Sequence, residues 1–299
     1  MQILSKTENS VHITDREGVK MAIEIAAGRV NRAMREYRPV WMSGGLSGGN
    51  DSLAATAIAS MAFDFDSAFH IDTGVGLRAT EAFVAEVCAK FNWPLEVFAA
   101  LENTRADGTP DPQDYFKMVE EHGFPGPAHH FKMYQRLKQR QIERWCRTHK
   151  KWRSREVLML VSGRRSQESA RRGRTVVGDV ERDGRVIWSN PLHDFSKLDC
   201  RRILEFYGIP ESPVYKFIHK SGECLCGAFG SPEELRETAL FFPDDPTVKR
   251  LVEMDRKQRE TRGWGWGQRP VNGTCKIKGA GPMCAKCDSI YLANQKTPE

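Results

Sequence analysis

No stretch of this 299-residue chain stays apolar for the ~20 residues that a membrane-spanning helix needs, which excludes a helical membrane protein. The first residues, Met1-Gln2-Ile3-Leu4-Ser5-Lys6, lack the charged-then-apolar layout of a signal peptide, so the expected compartment is the cytoplasm. No Gly-x-x-x-x-Gly-Lys-Ser/Thr occurs, which excludes a Walker-type phosphate loop. There is no internal repeat and no low-complexity tract, and 40% hydrophobic with 28% charged residues excludes a disordered chain. Acidic residues are scarce between Lys132 and Arg174, where three acids meet fifteen Lys or Arg. That segment carries a formal +12 against a total of +6, leaving the remainder at −6. Such a localised basic surface normally faces phosphates, of a nucleotide or of a nucleic acid backbone.

Against these absences stands Ser47-Gly48-Gly49-Asn50-Asp51-Ser52. It follows the short apolar segment Val40 to Met42 and precedes Leu53, Ala54, Ala57, Ile58 and Met61, which share one helical face. The pattern is strand, glycine loop, helix. Two glycines let the backbone approach a phosphate, and loop N–H groups with a helix N-terminus form an anion cradle. An ordinary Ser/Gly turn has the same local composition, so the surrounding chain decides.

Residues 15 to 36 have helical periodicity, with Val19, Ala22, Ile23, Ala26, Val30 and Met34 at steps of three and four. A strand at Ala68 to Ile71 runs into Asp72-Thr73-Gly74, a helix follows from about Thr80 to Phe91, and a strand at Leu95 to Phe98. Residues 103 to 130, rich in Pro, Gly, Asp and His, read as a long functional loop. A helix over about Phe131 to Lys150 carries Lys132, Arg136, Arg140, Arg144, Arg147 and Lys151 at steps of four or three along one face, either a solvated ridge or a phosphate-facing one. Val157 to Val161 reads as a central parallel strand leading into a polar segment that contains Gly163, Arg165 and Arg171. Val186 to Trp188 is a short strand, and Ser196 caps a helix to about Tyr207, stopped by Gly208. Alternating strands and helices predict an α/β fold, a parallel sheet with helices on both faces. Its polar segments gather at the carboxyl edge, where such sheets bind ligands.

Near residue 210 the composition changes, so the expected division is a nucleotide-binding domain over 1–210 and a cysteine-rich helical and loop region over 211–299. Helices are expected from Ser231-Pro232 and over about Pro246 to Arg262. Of the eight cysteines, Cys88, Cys146 and Cys200 occupy helical positions and read as packing residues. Cys224, Cys226, Cys284 and Cys287 lie in glycine-containing loops, and four thiolates suit tetrahedral zinc or a cubane iron–sulfur cluster. Cys275 is a fifth candidate, as a replacement ligand or a free thiol.

The glycine loop resembles the pyrophosphate loop (PP-loop) of the adenine-nucleotide alpha-hydrolase superfamily, whose pattern is Ser-Gly-Gly-x-Asp-Ser. Ile71 to Gly74, Gly163 with Arg165, Glu168-Ser169 and Arg171-Arg172, and Pro191-Leu192 with Asp194 to Ser196 and Asp199 are similar in order and spacing to its phosphoadenosine phosphosulfate (PAPS) reductase-like branch. That branch includes sulfonucleotide reductases and DndC-type proteins of DNA phosphorothioation. The resemblance implies a Rossmann-like fold and ATP, with Mg2+, cleaved between the alpha and beta phosphates.

The residue types suit this chemistry. Ser47, Gly48, Gly49 and Ser52 would hold the beta and gamma phosphates, with Asp51 orienting the loop or serving a magnesium shell. Asn50 stands where some relatives have Lys, so positive charge is expected from Arg165 first and Arg171 second. The resemblance implies that Asp72 and Thr73 contact adenine or ribose. It also favours a [4Fe-4S] cluster over zinc. Three functions are open. One is an adenylating enzyme that activates an acceptor, with nucleic acid the candidate the basic segment suggests, for sulfur supplied by a cysteine desulfurase-type donor. A second is a sulfonucleotide reductase, which in relatives carries a nucleophilic cysteine in a short motif near the C-terminus, whereas Asp288 to Glu299 contains none. The third is a nucleotide-sensing nucleic-acid-binding accessory protein.

Overall fold

A computed structural model of the chain describes residues 16–149, 156–166 and 178–268. In chain order the elements begin with α1 (Arg16–Tyr37), β1 (Met42–Gly45), α2 (Asn50–Ala62), β2 (Ser67–Asp72), α3 (Arg78–Lys90) and β3 (Leu95–Ala99). Then come α4 (Tyr115–His122), α5 (His130–Tyr134), α6 (Arg140–His149), β4 (Leu158–Val161), β5 (Val180–Asp183) and β6 (Val186–Ser189). The last are α7 (Lys197–Tyr207), α8 (Pro213–Ile218), α9 (Pro232–Phe241) and α10 (Pro246–Arg262). They fall into two compact units. One comprises the described residues to His70 with Ala82–Val97 and Cys146–Lys216. The other comprises Ile71–Glu81, Phe98–Trp145 and Phe217 onward.

The first unit is built on a six-stranded sheet of order β3-β2-β1-β4-β6-β5. β1 runs parallel to both β2 and β4, and β4 parallel to β6. The sheet is therefore α/β and mostly parallel, as expected, with one addition: β5 is an antiparallel edge strand on β6. Its Val-Glu-Arg-Asp sequence has little apolar signal, and a two-residue turn at Gly184-Arg185 creates the hairpin. β1 also lies further along than expected, because the ladder pairs Ser43, Gly44 and Gly45 with Ser67, Ala68 and Phe69. Gly44 is needed there: a Cβ would meet Thr56 of α2 at 2.6 Å. α2 contributes Leu53, Ala54, Ala55, Ala57, Ile58 and Ala59, all fully buried, so small side chains let it approach the sheet closely. α1 and α7 pack with α2. The Ser196 hydroxyl accepts from Asp199 N–H and the Asp199 carboxylate accepts from Ser196 N–H, a complete capping box, and Gly208 at φ 67 ends α7. Arg29 of α1 donates to both Asp194 oxygens, at 2.5 and 2.8 Å, and to Pro191 O at 2.8 Å.

The second unit corrects the reading of residues 103 to 130 as irregular. α4 lies within that stretch, capped by Asp114, which accepts from Phe116 and Lys117 N–H, and closed by Gly123 at φ 80. Tyr115, Phe116, Met118 and Val119 are buried, so tertiary packing stabilises eight residues that are too few to stand alone. The single helix expected from Phe131 is interrupted by a π turn over Gln135–Gln139 between α5 and α6. α10 has the expected bounds.

Candidate nucleotide site and cysteine loop

In the first unit, β1 ends at Gly45 and α2 opens at Asn50, so Leu46 to Gly49 form the turn between strand and helix and Asn50, Asp51 and Ser52 the first turn of α2. Gly48 takes φ 78, a backbone that an L side chain rarely adopts. Gly49 is the N-cap and supplies no side-chain acceptor, so the first N–H groups of α2 are not capped by it. The loop is held shut by its serines: Ser52 Oγ donates to Gly49 O at 2.8 Å, accepts from Ser47 N–H at 3.2 Å and lies 3.1 Å from Ser47 Oγ. These features describe a rigid turn with a positive helix end, suited to an oxyanion.

Gly163, Arg165, Asn50 and Asp51 come together around this turn. Gly163 packs so closely that a Cβ there would meet Asp51 C at 2.3 Å and Ser52 N at 2.4 Å. Arg165, only 2% exposed, donates from Nε to Asp51 Oδ2 at 2.8 Å and from Nη1 to Phe195 O at 3.1 Å. Asn50 Nδ2 donates to Glu211 Oε1 at 2.9 Å, and Asn50 Oδ1 is buried without a hydrogen-bond partner among the described residues. Cys200 is fully buried; burial, then the Asp51 charge, pushes its thiol well up. Burial and the same carboxylate raise Tyr215. Glu211 and Tyr215 carry no local sequence signal, and Cys200, expected as a packing residue, is buried as such but also lies beside Asp51; all three reach the loop only through long-range packing. Arg171, with Glu168, Ser169 and Arg172, lies outside the described residues.

In the second unit, Asp72 Oδ1 accepts from Gly74 N–H at 2.8 Å, and Gly74 takes φ 71. Thr73, fully buried, donates its hydroxyl to Glu223 O at 2.7 Å. The turn therefore anchors the cysteine loop: Leu77 N–H donates to Gly222 O at 2.9 Å and Leu225 N–H to Val75 O at 3.0 Å. Gly76 is obligatory beneath it, because a Cβ would meet Glu223 O at 2.7 Å.

Cys224 and Cys226 are both half-buried and their thiols hydrogen-bond each other. The bond from Cys226 outweighs burial and, helped by the Lys138 charge and Cys226 N–H, brings Cys224 down to about 7. The same bond, with burial, raises Cys226. Lys138, from the π turn, is ion-paired with Glu223. The pair is chemically suited to thiolate ligation, since two soft sulfurs stand one residue apart in one half-buried loop. Among the described residues no group of three or more His, Cys, Asp or Glu is arranged for a metal, and Cys275, Cys284 and Cys287 lie outside them.

The cationic ridge is partly neutralised by carboxylates from other segments. Arg140 meets Asp111 at 2.6 Å, and Arg144 meets Glu102 at 3.7 Å and stacks over Phe98. The acids missing from the helix's own sequence are supplied through tertiary structure. No described helix is long and apolar enough to cross a membrane.

Residues 40–221 match the family model for the phosphoadenosine phosphosulfate reductase domain. No curated protein matches. Among solved structures, the chain is similar to the phosphoadenylyl-sulfate (PAPS) reductase of Candida auris in a phosphate complex. Identity is 13% over 68% of this chain and 92% of that one, with a TM-score of 0.46. It is also similar to the FMN adenylyltransferase of Candida glabrata in complex with FMN and the ATP analog AMPCPP. Here identity is 12% over 72% of this chain and 65% of that one, with a TM-score of 0.41.

Proposed function

Because this chain belongs to the phosphoadenosine phosphosulfate reductase domain family, we propose that it is an adenylating enzyme that cleaves ATP between the alpha and beta phosphates to activate an acceptor for sulfur transfer. The observation that carries this reading is the Ser47–Ser52 turn, with Gly48 at φ 78 and Gly49 as an N-cap that offers no side-chain acceptor. The uncapped N–H groups and the Ser47 and Ser52 hydroxyls receive the beta and gamma phosphates, and their dipoles stabilise the departing pyrophosphate. Asp51 keeps the loop in place through Arg165, and carries the Mg2+ shell when the nucleotide is bound. Arg171 adds positive charge that Asn50 does not. Asp72, Thr73 and Gly74 serve the adenosine end, Thr73 through its backbone because its hydroxyl is committed to Glu223.

Cys224 and Cys226, with Cys284 and Cys287, are the residues that would hold a [4Fe-4S] cluster, or zinc in its place, which supplies thiophilic chemistry for the incoming sulfur. The acceptor class that the basic 132–174 segment favours is nucleic acid, and the sulfur source is a desulfurase-type donor protein.

The test is product analysis with ATP labelled at the alpha phosphate, with nucleic acid and sulfide present. AMP and pyrophosphate are expected, and both should vanish in Gly48→Val. Formation of ADP and orthophosphate, or no turnover, would overturn the reading. The family match itself favours a second reading, reduction of a sulfonucleotide. Thioredoxin-dependent release of sulfite from PAPS, without ATP cleavage, would establish that one instead.

A further inference from the structure

The two ends of α2 have opposite electrostatic character. Its first N–H groups stand at the glycine turn and favour an anion, whereas its last carbonyls carry the negative end of the helix dipole. No basic residue stands in its last turn to offset them. That negative end opens onto a cavity of about 440 Å3 in the first unit. The cavity lies between the loop from α2 to β2 and the loop from α3 to β3, at the edge of the sheet opposite the glycine turn. The 13 residues of α2, at ~1.5 Å each, put the two roughly 20 Å apart.

Both loops alternate aromatic and polar residues. Phe63-Asp64-Phe65-Asp66 leads into β2 and Phe91-Asn92-Trp93-Pro94 into β3. Hydrogen bonds fix them to the sheet: Ala68 N–H donates to Pro94 O at 2.7 Å, Asp66 N–H to Met42 O at 3.1 Å, and Met42 N–H to Asp66 Oδ2 at 2.6 Å. Asn92, at φ 54, turns the chain out of α3 in a conformation that Asn tolerates better than most residues. Trp93 then packs against Phe91, with ring centroids 5.5 Å apart, and against Phe65, at 6.4 Å.

The lining is aromatic and acidic, with no Lys, Arg or His in it. Asp64 is exposed and has no partner among the described residues. Beside the cavity, the Lys90 ammonium lies 5.5 Å from the Phe91 ring centroid, so this ring cluster already attracts a cation of the chain itself. Rings alone would take any apolar group, and carboxylates alone any cation. Together, at an uncompensated helix end, they select a cation with flat faces that stacks on a ring while its edge pairs with a carboxylate.

We propose that this cavity binds a guanidinium group, carried by a free small molecule or by an arginine of a partner protein. The proposal is independent of the nucleotide reading, since no residue of the glycine turn lines the cavity.

The test is an NMR titration of the full chain at fixed ionic strength, followed at the Trp93 indole. The probes are agmatine, for the free compound, and acetyl-Gly-Arg-Gly amide, for the protein-borne side chain. Saturable shifts are expected, with Kd on the order of 1 mM for so small a group. Tighter binding of agmatine assigns the free compound, and tighter binding of the peptide assigns a protein partner. The citrulline version of the peptide, alike in shape but uncharged, should not saturate. Asp64→Asn should weaken binding by about two- to fivefold, the range of an exposed ion pair, and Phe91→Leu by a similar factor through the lost ring. Asp64→Lys, which places a cation at the mouth, should abolish binding. Equal binding of the citrulline peptide, unchanged affinity in Asp64→Lys, or no saturable shift with either guanidinium compound would each overturn the proposal. If Phe91→Leu does not fold, Asp64→Lys decides alone, because its side chain is exposed. Pyrophosphate release should not change in Asp64→Lys, so the two readings fail separately.

Discussion

Arg165 donates to Asp51 across 2.8 Å while its own side chain is 3% exposed and the carboxylate 27%. The pair is asymmetric, because the acid can regain water when its partner is lost and the cation cannot. Asp51→Ala, which removes the carboxylate from a buried guanidinium, should cost about 3–5 kcal/mol, whereas Arg165→Met, which leaves a carboxylate that water can reach, should cost about 1–3 kcal/mol. Urea denaturation of the two variants measures the order, and the reverse order would show that the pair is not the anchor of the loop.

Gly163 sets the distance between the loop and the end of β4. A Cβ there would meet only backbone atoms, of Asp51 and Ser52, at 2.3 to 2.5 Å, so no side chain can rotate away. Gly163→Ala should therefore destabilise by about 1–3 kcal/mol or more and displace the N-terminus of α2, weakening ATP binding as well. Gly28 is the control: it lies within α1 with nothing within 4 Å of its Cβ position, and Gly28→Ala should stabilise by about 0.5–1 kcal/mol. Thermal melts and calorimetric ATP titrations on both variants separate the two effects.

What could be read in advance follows from the range of the interactions. α7 was legible because Ser196, Asp199 and Gly208 encode both of its ends locally. The apolar run of β4, buried throughout, was legible for the same reason. α4 has an Asp cap and a Gly stop too, but the surrounding Pro, Gly and Asp residues concealed a helix of eight residues whose buried face is what stabilises it. β5 depends on pairing with β6, which its polar sequence does not announce. In the candidate site, the glycine turn was visible as a motif. The partner of Asn50, Glu211, is set by how the chain returns to the sheet between α7 and α8, and no local pattern carries that. Thr73, which the sequence reading assigned to the nucleotide through the family resemblance, has its hydroxyl on the cysteine loop.

The contact between α1 and the β6–α7 loop should make stability fall in acid in two steps. Burial lowers His193, aided by the Arg29 charge and opposed by Asp194, so the unfolded chain takes up its proton first. Burial alone would raise Asp194, but the bidentate Arg29 and its charge bring the carboxyl below its ordinary range. Both folded values are depressed, so each group's contribution is fully present above its unfolded pKa and is lost as pH falls through the folded one. The first loss begins below about 6.5 and the second below about 3.9, the ordinary values of His and Asp. Stability against urea from pH 8 to 3 should show both slopes. His193→Asn should remove the upper one and Arg29→Met should flatten the lower.

The cysteines differ in reactivity by position, and alkylation reads this directly. Burial pushes Cys88 up to about 12 and Cys200 well above its usual range, so neither offers a thiolate near neutrality. Cys224 is half-buried and brought down to about 7 by the Cys226 thiol, with Lys138 and the Cys226 N–H contributing. Iodoacetamide at pH 7.5 on the reduced, metal-free chain should therefore label Cys224 well before Cys88 or Cys200, as mapped by peptide mass spectrometry. Lys138→Gln should slow Cys224 by a few-fold, because a cation near the sulfur favours its charged form. Equal labelling of the three would mean that the loop is not closed around its sulfurs in solution.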